Sequence, residues 1–150
     1  MSGGGEQNYE ILLIEDNPAD AMLLQQRLEE CEGAAKACNV RWLKNCADVI
    51  AFLGNREMGG YRPDLIILDY RMPMNGGRAL ADLKSHPDYL HIPVVVLTGS
   101  KSPSDVYDVY RLGANCCYHK PSDLDELDSL IRMLVEHWLT KICTPNGDSR

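Results

Sequence analysis

With 150 residues, the chain has room for one ordinary domain with a real core and too little for two. Apolar residues make up 45% and charged residues 25%, the balance of a soluble globular protein. The formal net charge of −7 disfavours nucleic acid and anionic membranes as partners, and no apolar run is long enough to span a bilayer.

Residues 1–8 are polar and Gly-rich, lack the apolar stretch of a signal peptide and read as a disordered lead. Ile11-Leu12-Leu13-Ile14 predicts a first strand that stops at Glu15-Asp16-Asn17-Pro18. Ala21, Leu24 and Leu28 then share one face of a helix, with Asn17 as N-cap and Pro18 in its first turn. Cys31 to Asn39 reads as a loop or frayed helix end. Val40–Leu43 is a second strand, and Cys46–Leu53 a short helix closed by Gly54.

Leu65–Leu68 is uninterrupted by polar residues, as a parallel strand buried on both faces should be, and it ends on Asp69. Tyr70 to Gly77 is expected to be a loop. Leu80 and Leu83 mark a third helix that ends near His86-Pro87. Ile92–Leu97 is a fourth strand ending on Thr98. Asp105–Leu112 is helical, with Gly113 as its stop. Asn115–Tyr118 is a fifth strand before Lys120-Pro121, and a last helix runs from about Asp123 to Ile142. Five strands, each followed by a helix, imply an α/β fold with a parallel sheet covered on both faces.

The six cysteines (Cys31, Cys38, Cys46, Cys116, Cys117 and Cys143) match no zinc spacing and are expected to be reduced thiols of a cytoplasmic protein, mostly buried as small hydrophobes. His86 and His91 read as surface loop residues.

The polar residues concentrate at strand ends. Glu15 and Asp16 follow the first strand, Asp69 the third, Thr98 the fourth and Lys120 the fifth. Ligands of open α/β sheets bind beyond the carboxyl ends of the strands, so a flavodoxin-like order of 2-1-3-4-5 would gather all five residues in one crevice. Crowded carboxylates repel one another, and a divalent cation removes that cost. Oxygen ligands suit Mg²⁺. Lys120 adds a compact positive charge and Thr98 a hydroxyl donor. Such a set can bind a phosphoryl group on a carboxylate, with Asp69 as the nucleophile.

The segments Ile11 to Asp20, Asp64 to Pro73, Pro93 to Thr98 and Gly113 to Pro121 closely resemble the receiver domains of two-component response regulators. The resemblance covers residues 9–142 and leaves 143–150 as a flexible tail. It implies a doubly wound (βα)5 fold, phosphorylation of Asp69 by a sensor histidine kinase, and signalling to a downstream protein by contact. It also implies Mg²⁺ bound directly by Asp16 and Asp69, through water by Glu15, and by the backbone carbonyl of Arg71. Thr98 is then the switch hydroxyl, Lys120 the site lysine, and Pro121 a residue whose peptide bond is often cis. The face built from the fourth helix, fifth strand and fifth helix is the expected exit for the signal, or a homodimer contact. Glu15 to Asp20, the stretch from Cys31 to Val40 and Glu136-His137-Trp138-Leu139 further resemble small stand-alone regulators paired with phytochrome-type histidine kinases.

One position departs from the pattern. Receivers commonly carry Tyr or Phe three residues before the site lysine, where Cys117 stands here. Tyr118 is one residue later and belongs to the opposite face of a strand, unless a bulge restores it. Two other functions compete. A degenerate receiver would bind partners without phosphorylation, which the full set of acids, threonine and lysine argues against. An aspartyl phosphohydrolase needs a second acid two residues after its nucleophile, and Arg71 stands there.

Overall fold

Three apolar runs without a polar interruption form the centre of a parallel sheet. They are β1 (Tyr9–Ile14), β3 (Leu65–Asp69) and β4 (Val94–Thr98), with β2 (Cys38–Leu43) and β5 (Cys116–His119) at the edges. The structure is a computed structural model and describes residues 8–31, 37–55, 61–69 and 73–141. The strand order is β2-β1-β3-β4-β5 and every pairing is parallel, as the alternating elements predict.

Alternation along each strand divides the core into two layers. Ile11, Leu13, Leu65, Ile67, Val95 and Leu97 pack toward one side, against Ala21, Leu24, Leu28, Leu127 and Ile131. Leu12, Ile14, Ile66, Leu68, Val94 and Val96 pack toward the other, against Val49, Leu53, Leu80, Leu83 and Val109. Each buried aliphatic side chain contributes about 1.5–3 kcal/mol by leaving water, so β3, buried at every position, is anchored from both faces.

The first layer is covered by α1 (Pro18–Glu29) and α5 (Leu124–Leu134). The second is covered by α2 (Val49–Leu53), α3 (Pro73–Ser85) and α4 (Pro103–Arg111). A 3-10 turn at Cys46–Asp48 leads into α2. The Asn17 side chain caps α1 by accepting the Asp20 N–H, and Asp123 caps α5 by accepting the Glu126 N–H.

Element boundaries differ from the sequence reading at several points, and β2 opens at Cys38, inside the expected loop of Cys31 to Asn39. α3 begins at Pro73, inside the expected loop of residues 70–77, because proline's fixed φ and missing N–H suit a first helical turn. α4 likewise begins at Pro103 rather than Asp105. The last helix changes to a π-helical turn over Val135–Lys141. The described residues contain no cis peptide bond, so Lys120–Pro121 is trans. The lead of residues 1–7, Arg71, Ile142, Cys143 and the tail of residues 143–150 lie outside the described residues.

Side chains from the helices reach the outer edges of the sheet. Gln25 Nε2 donates to Val40 O at 3.1 Å, and the Val40 N–H donates to Glu29 Oε2 at 3.4 Å. On the opposite edge the Cys117 N–H donates to the Tyr110 hydroxyl at 3.0 Å. Gly113 ends the α4 turn with φ +111°, a conformation that L side chains avoid. A Cβ there would also meet Lys84 Cβ and Cγ at 2.8 Å. Among the described cysteines, Cys38 is buried and Cys31, Cys46, Cys116 and Cys117 are half-buried, all as free thiols. Neither His86 nor His91 is a fully exposed loop residue: both are half-buried, and His86 stacks on Tyr89.

Candidate functional site

Parallel strands end together, and two of them end here on acids. β1 delivers Glu15 and Asp16, while β3 delivers Asp69. One carboxylate oxygen from each lies within 4.8 Å of the other two. Glu15 is 1% exposed and Asp69 9%, whereas Asp16 faces solvent.

Lys120 enters from the end of β5. Its ammonium is 2.9 Å from Asp69 Oδ2, 3.5 Å from Glu15 Oε1 and 3.6 Å from Asp20 Oδ2. The Lys120 N–H donates to Thr98 O at 2.8 Å, which ties the end of β5 to the end of β4. Thr98 itself is buried at 2% exposure, and its Oγ1 accepts the Ser100 N–H at 3.1 Å. Thr98 adjoins the carboxylates through the strand register, in which Asp69 lies opposite Leu97.

The electrostatics follow from this crowding. Burial pushes the Glu15 carboxyl up to about 8, with the contact to Asp69 adding to the rise and Lys120 opposing it. Three carboxylates facing one ammonium leave an excess of negative charge in a partly dry site. The residues present therefore fit a divalent cation with oxygen ligands.

The expected residues Glu15, Asp16, Asp69 and Lys120 come together, and Thr98 stands at the adjoining strand end. The carbonyl of Arg71 lies outside the described residues. Two further residues were not anticipated. Asp20, in the first turn of α1, supplies a third carboxylate to Lys120. Trp42, from β2, donates its indole N–H to Glu15 O at 2.6 Å. The Asn17-Pro18-Ala19-Asp20 cap pattern was the signal for Asp20. Trp42 had none beyond its place near the end of an edge strand.

The register of β4 with β5 runs without a break from Val95–Cys116 to Thr98–His119, so no bulge intervenes. Cys117 packs into the layer of α2, α3 and α4, while Tyr118 packs into that of α1 and α5. There the Trp138 indole donates to the Tyr118 hydroxyl at 3.4 Å. Tyr118 therefore does not take the place of the usual inward aromatic.

Residues 11–132 match the family model described as the response regulator receiver domain. The chain belongs to that family. This receiver domain is 36% identical over 140 residues to response regulator Rcp1 of Synechocystis sp., covering 90% of this chain and 92% of that protein. The crystal structure of the phosphorylated cyanobacterial phytochrome response regulator RcpA superposes on the receiver domain with a TM-score of 0.82. Its identity is 32%, and the match covers 93% of this chain and 99% of that one. The Mn²⁺-bound form of response regulator Rcp1 gives a TM-score of 0.78 at 34% identity, over 91% and 99% of the two chains. No helix among the described residues is long and apolar enough to cross a membrane.

Proposed function

We propose that Asp69 of this response regulator accepts a phosphoryl group from the histidine of a sensor kinase, with Mg²⁺ as the required ion. The observation that carries the reading is the contact of the Lys120 ammonium with Asp69 Oδ2 at 2.9 Å, beside two further carboxylates whose oxygens lie within 4.8 Å. A buried carboxylate at a strand end, next to a lysine, has the position of a nucleophile rather than of a surface acid.

Asp16 and Asp69 would hold the ion directly, and Glu15 through water. The carbonyl of Arg71 would complete the set. The ion supplies neutralising charge to the oxygens of the transferring group. An Asp69 carboxylate oxygen forms the new bond to phosphorus as the bond to the donor imidazole nitrogen breaks, and that nitrogen keeps the electron pair. Lys120 balances the charge gathered on the phosphoryl oxygens. Thr98, buried at the adjoining strand end, is the hydroxyl that reorients toward the phosphorylated Asp69.

The relative named as a phytochrome response regulator favours a phytochrome-type kinase as donor, and the cytoplasm is the proposed setting. The signal then leaves by protein contact through α4, β5 and α5, where Tyr107, Tyr110 and Met133 are exposed, to a downstream protein or a second copy of the chain. The reading is tested by incubating the protein with acetyl phosphate and Mg²⁺ and locating the added phosphoryl group by mass spectrometry. Asp69 is expected to carry it, and only when Mg²⁺ is present. Labelling that is absent, or independent of Mg²⁺, overturns the assignment.

A further inference from the structure

We propose that Trp42 is a positioning residue for the metal-binding carboxylates, acting through the peptide plane between Glu15 and Asp16. The inference rests on the phosphoacceptor reading above and goes beyond it by adding a residue from a strand that contributes no carboxylate to the site.

The segment of residues 15–17 lies beyond the last paired positions of β1, which are Ile14 with Leu43 and Ile14 with Leu68. Its backbone is held by three other contacts. The Glu15 N–H donates to Leu43 O at 3.2 Å. The Asn17 N–H donates to Glu15 Oε2 at 3.1 Å. The Glu15 carbonyl accepts the Trp42 indole N–H at 2.6 Å.

That last contact falls on the peptide that joins the buried acid to the exposed one. Rotating this plane would change the direction of Asp16 relative to Glu15 and Asp69. Asp16 is exposed, so its aim comes from the backbone that carries it. Trp42 is suited to fix that backbone. Its ring packs against the core layer of α1 and α5, and an indole has only two side-chain torsions to hold. A metal site tolerates ligand displacements of only about 0.2 Å, and loss of a partner that orients a ligand typically costs about 10–100-fold in metal affinity.

The test compares the full chain with its Trp42→Phe variant, which keeps an aromatic ring and loses the donor. Mg²⁺ binding is followed by NMR titration of the backbone amides and of the two indole N–H signals. In the parent protein the Trp42 indole signal is expected to move with the same midpoint as the Glu15 and Asp16 amides. In the variant the Mg²⁺ dissociation constant is expected to rise about tenfold. Labelling by acetyl phosphate should then recover once Mg²⁺ is saturating, because the phosphoacceptor and Lys120 are intact. A tryptophan that only packs would lower thermal stability and leave the Mg²⁺ midpoint unchanged, and that result overturns the proposal. So does a Trp42 indole signal that stays still through Mg²⁺ saturation of the parent, a measurement that decides the matter even if the variant fails to fold. If the parent itself binds no Mg²⁺, the phosphoacceptor reading fails and this inference falls with it.

Discussion

Lys120 and Asp69 stand 51 positions apart in the chain, yet the ammonium of one lies 2.9 Å from a carboxylate oxygen of the other. The contact joins the end of an edge strand to the end of the central one. Lys120 also lies near Glu15 and Asp20, so it is the shared cation of three acids. Replacing it with alanine should lower the rate of labelling by acetyl phosphate by about 100-fold, the usual cost of removing one preorganised charge-stabilising group. Mg²⁺ affinity should not weaken, because a competing cation has been removed and the carboxylates remain. Parallel rate and Mg²⁺ titrations would check both halves. An unchanged rate would remove Lys120 from the mechanism.

Asp69→Asn should abolish labelling, and above about pH 8, where Glu15 is ionised, it should also stabilise the metal-free protein. Asp69 is among the groups that hold the Glu15 carboxyl high. Neutralising it relieves the crowding by about 1 kcal/mol, which at this chain length raises the melting midpoint by about 2–4 °C. Thermal melts in EDTA would show the shift. A midpoint that falls would mean that the Lys120 contact outweighs the repulsion.

The Glu15 carboxyl, raised from 4.5 to about 8, makes metal binding depend on pH. Between those values the folded, metal-free protein keeps a proton that the unfolded chain has released. The folded state then binds more protons, so the stability gained from this group is complete below pH 4.5 and is lost as pH rises through about 8. Mg²⁺ needs an ionised cluster and expels the proton, so its affinity should rise over the same window, by at most about tenfold per pH unit. Glu15→Gln should flatten the profile. Calorimetric titrations at several pH values would reveal a flat parent profile if the carboxyl is already ionised.

Tyr118 offers a test of how the signal leaves the site. Its hydroxyl meets the Trp138 indole on the α1 and α5 side, away from the position held by Cys117. Tyr118→Phe should cost about 0.5–1.5 kcal/mol, the worth of an ordinary hydrogen bond, and leave the lifetime of the phosphoryl group unchanged. Denaturant melts and a phosphate-release time course would measure the two effects. A markedly altered lifetime would give Tyr118 a role in the phosphorylated state.

The sequence carries the fold and four site residues because both depend on local signals. An unbroken Leu65–Leu68 run says that β3 is buried on both faces, and an acid at its end needs a reason to be there. Lys120 is found in the same way, from its place after a strand. The start of α3 was hidden because Gly76 and Gly77 read as a loop, while Pro73 in fact opens the helix. Trp42 was hidden for a different reason. Its partner is a backbone carbonyl 27 residues away, and no pattern of residue types encodes which way a ring nitrogen points.

The hydrogen bonds on the outer strands bear on how this protein stays itself in a crowded solution. An open sheet has two rows of unpaired backbone groups on which another chain could build. Here the Val40 N–H and carbonyl are engaged by Glu29 and Gln25 of α1, and the Cys117 N–H by the Tyr110 hydroxyl of α4. A strand arriving from outside would have to displace those side chains before pairing at these positions. The same helices that cover the faces of the sheet thus guard its margins against runaway β-assembly.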